Sequence, residues 1–549
     1  MIANTGRTLV TLALFTSLTL LISCENQLSS GGGDVVDPGI PEEGIRYVAT
    51  AGDGGNDTTG TGSRTMPFAS IDAAMDDLAS EPGEREVRVA AGTYLYSFRS
   101  LDLEQGILIR GGYNPGNWDE RNPDAFETVI SGDQTRWTVE ANGLTETPRT
   151  GLDGVTVEAD LSATGRTTNY AIYVLNSELI ITDTKILGGR GNNSASEALY
   201  VSGTSSGVVR TVVVDGVTIT VNGSATPFTA RGVNVYQANG GGSNVRITDS
   251  SIESGPATNS SIGISINDGP GSLTVERTAI TVGTGTNFSE GISLGQGDGH
   301  QIRNNTIAMA GGDDSIGITT YYSDNVLIDG NRITAPAGDG TSRSIGIETG
   351  AGSNVRMWNN LVHRAAGGNR GFVAIFARSS GPVYNNTLVT SNGTGDFVGI
   401  RTDVFGPNAS NPLVRNNIVA ATATGTADAV GLRITDADPA TETTPALFEH
   451  NLFHQMDTLI TFGATDYNEA SDLNDESRTT ARADGTAEGN LVADPGFESG
   501  GFRLTAASPA TARTGGLSID EVDRDISGAP RTDDGSGTGY SIGAYELDD

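Results

Sequence analysis

The chain reads as an all-β solenoid, a stack of short coils with a single helix near its N-terminal end. Three observations carry that reading. A small residue followed by apolar-x-apolar recurs as AIYV at 171, ALYV at 198, GVNV at 232, GISI at 263, GISL at 291, GITT at 317, GIET at 346, AIFA at 374, GIRT at 399 and GLRI at 431, about 25 to 34 residues apart. Each repeat also holds a second short strand, a polar turn and another apolar residue, as in VRITDSSI, HQIRNNTI, VLIDGNRI and VRMWNNLV. Apolar and polar residues alternate within each piece, which is the period of a strand, and repetition at this length marks a solenoid. Glycine is abundant at 75 residues, aromatics make up 6%, and long helical periods are almost absent.

The turn of the second phrase repeats more strictly than its surroundings. Three residues after the inward apolar residue stand Asn305, Asn331, Asn360, Asn386, Asn417 and Asn451, on six successive repeats. An amide donates and accepts, so amides stacked at the ~4.8 Å strand spacing can bond into a ladder. Asn also tolerates the left-handed backbone of a tight turn. Thr184, Ser250 and Thr278 hold the same place upstream with hydroxyls.

On these repeats the chain resembles the right-handed parallel β-helix proteins of the pectin-lyase-like superfamily, over roughly residues 45–549. Its opening, YVATAGDGGNDTTGTGSRTMPFASIDAAM followed by VRVAAGTY, is similar to that of bacterial β-helix families of unknown function. The closing DPGFES, FRLTAASPA and SIGAYEL resemble the usual end of such domains. The resemblance implies a right-handed parallel β-helix solenoid with a short N-terminal capping helix, for which PFASIDAAMDDLA is the one amphipathic candidate. Residues 45–150 are expected to form the cap and irregular first coils, 151–455 the regular coils, and 456–549 the last coils and C-terminal cap.

Residues 1–23 read as an export signal. Arg7 gives the positive start and Leu9 to Leu21 an apolar core too short to span a bilayer. Leu21-Ile22-Ser23-Cys24 resembles a bacterial lipobox, which implies lipidation of Cys24, the one cysteine among 549 residues. Residues 24–44 are rich in Gly, Ser, Pro and acid, as expected of a flexible tether. Glu25 stands after the cysteine, where aspartate is associated with inner-membrane retention, so the expectation is an exported lipoprotein at the outer membrane or cell surface.

The chain carries 67 acidic and 33 basic residues, a net charge of −34. That excludes nucleic acid as a partner, because phosphates need a basic surface, and it opposes unassisted capture of polyanionic sugars. No metal or cofactor is demanded, although Asp53, Asn56 and Asp57 in GDGGNDTTG offer hard oxygen ligands suited to calcium; the same cluster is ordinary turn chemistry. His450 and His454 lie about 13 Å apart on a strand and make no zinc site.

Candidate binding residues follow from strand alternation. If Ile264 and Ile266 point inward, the column Gly232, Gly263, Gly291, Gly317, Gly346, Gly399 and Gly431, with Ala171, Ala198 and Ala374, points outward. Such a column is either the floor of a groove or a surface that loops cover. The next outward column runs Tyr173, Tyr200, Asn234, Ser265, Ser293, Thr319, Glu348, Phe376, Arg401 and Arg433, and places Glu348, Phe376 and Arg401 on neighbouring coils. On the second strand, Arg303, Asp329, Trp358, Tyr384, Arg415 and Glu449 form a column in which Trp358 and Tyr384 make an aromatic platform, for sugar or as ordinary surface stacking.

Gly312-Asp313-Asp314 is similar to the Gly-Asp-Asp of polygalacturonases, where one carboxyl protonates the leaving oxygen and another activates water. The family's upstream Asn-Thr-Asp and its Gly-His-Gly are missing, and Arg332-Ile333 is followed by Thr334 rather than lysine. Asp313 and Asp314 therefore read as a turn before a strand, and remain weak catalytic candidates beside Glu348 and Arg401. Arg401 and Arg433 are the arginines a lyase could use. The reading that results is a surface-anchored protein binding an extended carbohydrate or surface partner, with a polysaccharide lyase or glycoside hydrolase, and a passive stalk, as alternatives.

Overall fold

A computed structural model describes residues 42–547, except 161–167, 190–194, 204–207, 222–226, 238–241, 268, 337–342, 351, 353, 366–370, 380, 392–394, 404–412, 424–427, 436–446, 464, 470, 472–473, 475–488 and 532–537. Cys24 and the tether up to residue 41 lie outside the described residues.

One coil shows the plan. Gln301–Arg303 lies in sheet A, Thr306–Met309 in sheet B and Gly312–Thr320 in sheet C, before Leu327–Asp329 begins the next coil in sheet A. Each strand pairs in parallel with its equivalent one coil away: Ile302 faces Ile328, Ile307 faces Ile333, and Ile318 faces Ile347. Repeated along the axis, this builds three long sheets, among the described residues two of 14 strands and one of 15, with one antiparallel strand counted in each of sheets A and C. A parallel sheet needs both ends of every strand connected onward, and the short coil satisfies this without crossover helices.

The Ile, Val and Leu columns of the three sheets meet in one continuous buried core running from Val48 to Ile460. Burying each such side chain contributes about 1.5–3 kcal/mol, so the core is additive along the axis. The open N-terminal end is closed by the helix Ile71–Leu78. Ser70 caps it by accepting from the Ala73 N–H at 3.2 Å, and it buries Ile71, Ala74, Met75 and Leu78. Arg46 holds the helix to the first strand through Asp77 and Glu81.

The amide ladder occupies the turn from sheet A to sheet B. Asn305 donates from Nδ2 to Asn331 Oδ1 at 3.0 Å, and Asn331 to Asn360, Asn360 to Asn386 and Asn386 to Asn417 do the same at 3.0 Å. Asn417 to Asn451 follows at 3.0 Å, and Asn490 extends the row by a seventh member at 3.1 Å. The left-handed backbone, however, belongs to the residue before each ladder member. Asn304, Asn359, Asn385 and Asn416 have φ of 52° to 56°, and Gly330 has φ 68°. Of the hydroxyl members, Ser250 accepts from the Val217 N–H at 3.1 Å, while Thr184 and Thr278 donate back to the carbonyls of Thr182 and Glu276.

Past the last coil the chain turns back along the outside of the solenoid. Ile519 and Val522 pack on Leu327, Trp358 and Tyr384, and Ile526, Ala544 and Tyr545 pack on Leu361. Arg531 is wholly buried and fastens this strap, donating to Asn359 Oδ1 and the Gly543 carbonyl, each at 2.8 Å, and to Glu546 at 3.1 Å.

Candidate functional site: the outer face of sheet C

Sheet C breaks the alternation on which the expected glycine groove rested. Before the glycine, Ser261 points inward, its Oγ bonded to the Gly255 carbonyl at 2.9 Å. After it, Ile264 and Ile266 also point inward, at 0% and 1% exposure. The phase slips at the glycine, which the inter-strand register passes over. A Cβ on Gly317 would lie 2.5 Å from both Ile333 Cγ2 and the Gly346 carbonyl oxygen, inside the core. The same holds along the column from Gly232 to Gly431, and Ala171, Ala198 and Ala374 are fully buried. These residues are small because sheet B's Ile and Val side chains fill the space beside them; they are not the floor of a groove.

The outward column after the glycine is as expected. Tyr173, Tyr200, Asn234, Ser265, Ser293, Thr319, Glu348, Phe376, Arg401 and Arg433 are register neighbours from coil to coil. The slip creates a second outward column before the glycine: Tyr170, Glu197, Arg231, Ile262, Glu290, Ile316, Ile345, Val373, Val398 and Val430.

Chemistry along this face changes in blocks. At the N-terminal end Trp137 stacks on Tyr173 at 4.7 Å and Tyr173 on Tyr200 at 5.3 Å. Their faces are spent on one another, so a ligand meets edges and hydroxyls. In the middle lies a polar floor: Glu197 accepts from Arg231 at 2.7 Å and from Asn234 at 2.9 Å, and Ser265 donates to Asn234 Oδ1 at 3.1 Å. Asn234, Ser265 and Thr319 are 5%, 5% and 0% exposed, whereas Tyr236 on the strand of Asn234, Phe288 on the strand of Ser293 and Tyr321 just after the strand of Thr319 are 46%, 43% and 41% exposed. On this stretch the polar side chains lie beneath the surface and exposed rings stand over it.

Beyond it the face becomes ionic. Burial pushes the Glu290 carboxyl up, and the nearby Glu348 and Asp314 add to this while the Ser293 hydroxyl and Arg231 oppose it. Arg343 lies 3.3 Å from Asp314 and 3.7 Å from Glu348, and Arg378 lies 3.0 Å from Glu348. Phe376 is sandwiched between guanidiniums, Arg378 at 4.0 Å and Arg401 at 4.5 Å from its ring centre. Arg343, Arg401 and Arg433 rim a cavity of about 280 Å³ floored by Ile345, Val373, Val398 and Phe376.

Several expected site residues change role. Phe376 and Glu348 are 2% exposed and position arginines rather than meet a ligand. Trp358 and Tyr384 are register neighbours, yet they are 5% and 6% exposed beneath Ile519 and Val522, so the platform is covered by the chain's own C-terminal strap. Asp313 and Asp314 are not a turn: they open the strand Gly312–Thr320, with Asp314 accepting from the Arg343 N–H at 3.1 Å. Asp57 caps the N–H groups of Ala69 and Ser70, Asn56 those of Thr58 and Thr59, and Asp53 accepts from the Thr50 hydroxyl. Among the described residues no cluster of three or more His, Cys, Asp or Glu is arranged to hold a metal ion. Trp137, Glu197, Arg231, Glu290, Arg343 and Arg378 escaped the sequence reading. Glu197, Arg231 and Glu290 share one signal, the position just before the small residue of the repeat.

The family model for the right-handed beta helix region matches residues 231–418. Comparison with curated proteins gives no match. Among solved structures, pectate lyase Pel9A is 16% identical, with 93% of this chain and 98% of that one covered and a TM-score of 0.38. The Azotobacter vinelandii mannuronan C-5 epimerase AlgE6 A-module is 15% identical, with 82% and 100% covered and a TM-score of 0.43. The bacteriophage Phi29 gene product 12 N-terminal fragment is 12% identical, with 73% and 70% covered and a TM-score of 0.43. The parallel coils and the matched region together make this chain a right-handed parallel β-helix.

Proposed function

We propose that the outer face of sheet C binds an extended carbohydrate chain lying along the solenoid axis. One observation carries the reading: the rings of Tyr236, Phe288 and Tyr321 stand exposed on or beside three strands of sheet C, while the polar side chains Asn234, Ser265 and Thr319 are buried beneath the face. Ring faces that meet the C–H side of a sugar, with the Tyr236 and Tyr321 hydroxyls for its hydroxyl groups, are the usual composition of a site for a polar, ring-shaped ligand. The three rings are spread over neighbouring coils about 4.8 Å apart, so a ligand of more than one sugar unit could meet them together. With Cys24 lipidated and residues 25–44 as a tether, the groove would be presented at the outer membrane or cell surface. The test is a glycan array probed with residues 42–549, followed by Tyr236→Ala, Phe288→Ala and Tyr321→Ala. Binding that falls at least tenfold in these variants supports the groove; binding indifferent to all three removes it.

A second reading, glycoside hydrolysis, is favoured by Glu290. It sits one coil over and two residues along from Asp314, since Phe288 pairs with Asp314, which puts the two backbones about 8 Å apart. That is compatible with the ~6.5–9.5 Å between carboxyls that inversion needs. In that reading Glu290, whose pKa burial raises, would protonate the leaving oxygen, and Asp314 would take the proton of the attacking water. Release of reducing ends from any bound glycan, abolished by Glu290→Gln, would establish this reading; binding without turnover leaves the groove as a binding site.

A further inference from the structure

We propose that residues 34–41, DVVDPGIP, dock along the outer face of sheet A and cover its N-terminal coils, as the C-terminal strap covers the last ones. The inference stands apart from the glycan reading, which concerns sheet C. One outward column of sheet A carries it. Toward the C-terminus this column holds Leu327, Pro382 and Leu413. Leu327 and Leu413 pack against Ile519 and Val522 of the strap, and Leu327 is 5% exposed. The middle of the column is polar, with Arg246, Thr274 and Gln301. Toward the N-terminus it turns apolar again: Val213, Ile180, Leu108 and Ile45 are in register, broken only by Gly151 and Glu86. These four side chains are only half-buried, and Ile45, Leu108 and Ile180 line a cavity of about 410 Å³. Outward apolar residues on this sheet therefore mark the ends, and at one end the covering segment is seen.

The chain enters the solenoid at this cavity. Glu43 and Gly44 line it, and the Glu42 carbonyl accepts from the Ile45 N–H at 3.1 Å. Four strand steps separate Ile45 from Ile180, about 19 Å at the sheet spacing. Six residues back from Glu42, extended backbone spans about 20 Å and reaches Val36. Val36 then falls beside Ile180, and Ile40 near Leu108. Pro38 and Pro41 bias the residues before them, Asp37 and Ile40, toward extended backbone, so docking orders less chain. Arg149, exposed at the cavity's rim on the coil of Gly151, has no ion pair among the described residues and stands where Asp37 would pass. The acids Glu43 and Glu84 of the lining lie on the first two coils, away from that path. Docking leaves residues 25–33 as the span between Cys24 and the solenoid, at most ~30 Å when extended.

The experiment uses residues 24–549 carrying Cys24→Ser, which removes the chain's one cysteine. In that background Val36→Cys/Ile180→Cys should close an intramolecular disulfide at least about tenfold faster than Val36→Cys/Thr218→Cys, because docking raises the effective concentration at sheet A alone. Thr218 is exposed on the outer face of sheet B and serves as the control. A second measurement follows cleavage before Asp37 by endoproteinase Asp-N. Leu108→Ser/Ile180→Ser and, separately, Val36→Ser/Ile40→Ser should each speed that cleavage at least about tenfold, since proteolysis tracks the undocked population. The second of these variants lies outside the described solenoid and leaves its core untouched. Equal trapping at Ile180→Cys and Thr218→Cys, or cleavage unchanged in both serine variants, would overturn the proposal. Disulfides formed between chains rather than within one would assign the face to a second copy and overturn it equally.

Discussion

Replacing Asn360 by alanine tests the amide ladder at its centre. The side chain is 0% exposed. Its Nδ2 serves the Ile328 carbonyl at 2.9 Å, the Trp358 carbonyl at 3.0 Å and Asn386 Oδ1 at 3.0 Å. Its Oδ1 accepts from Asn331 N at 3.1 Å and from Asn331 Nδ2 at 3.0 Å. Alanine leaves the Asn331 backbone N–H buried and unpaired, at about 1–3 kcal/mol, and removes one of the acceptors of Asn331 Nδ2, which keeps the Ile302 carbonyl at 2.8 Å, at about 1 kcal/mol, so the local loss is about 2–4 kcal/mol. Solenoids open locally, and a single global unfolding energy is not the proper readout. Hydrogen exchange of the Asn331 amide is, because that N–H loses its acceptor. Exchange should accelerate by at least about 30-fold, the equivalent of 2 kcal/mol. Asn287→Ala is the control: it deletes an exposed amide-to-amide bond to Asn259 of 2.6 Å and should change stability by at most about 0.5 kcal/mol. If Asn331 exchange stays within about threefold of the parent, or the control loses as much, the ladder is decoration and the reasoning fails.

Three other outcomes follow from the same contacts. The Glu290 carboxyl has a folded pKa raised by burial, so its contribution to stability is complete below the unfolded carboxylate value, about 4.3, and is lost as pH rises through the folded value. Glu290→Gln cannot ionise, so its melting temperature should exceed the parent's at pH 8 with the gap closing toward pH 4; a gap that widens on acidification would contradict the burial. Gly317→Ala places a Cβ 2.5 Å from Ile333 Cγ2 and the Gly346 carbonyl and should destabilise its coil by about 1–3 kcal/mol, read as faster hydrogen exchange of the Ile318 and Ile347 amides, whereas a neutral change would return the glycine column to the surface. Deleting residues 516–549 uncovers Trp358, now 5% exposed, and should raise acrylamide quenching of tryptophan fluorescence; unchanged quenching would mean the strap does not cover it.

What could be read in the sequence, and what could not, divides by distance along the chain. The ladder was legible because each member repeats at one coil's spacing between invariant apolar neighbours. The left-handed position was assigned one residue late, because pairs such as Asn359-Asn360 and Asn385-Asn386 put the same residue type at both places. The glycine column was misread because Gly-Ile-Ser-Ile has the look of unbroken alternation, and the phase slip at Gly263 leaves no mark in residue type. The strap was invisible for another reason. Arg531 meets Asn359 across 172 residues, and the segment holding it repeats nothing, so periodicity could not show that Trp358 and Tyr384 were covered.

A solenoid separates the demands of folding from those of recognition more cleanly than most folds do. On the strands of sheet C the inward position reads Ile264, Ile292, Ile318, Ile347, Ile375, Ile400 and Leu432, almost constant, because each must pack on the one before. The position one residue later reads Ser265, Ser293, Thr319, Glu348, Phe376, Arg401 and Arg433 on the same coils. No packing rule of the core dictates that second series, and surface residues under no constraint would vary without order. Instead it moves from hydroxyl to carboxylate to aromatic to guanidinium, and the buried members, Glu348 and Phe376, hold the arginines in place at a cost in charge burial that the fold does not require. Under the proposed binding role, that order would match a ligand with one end chemically unlike the other.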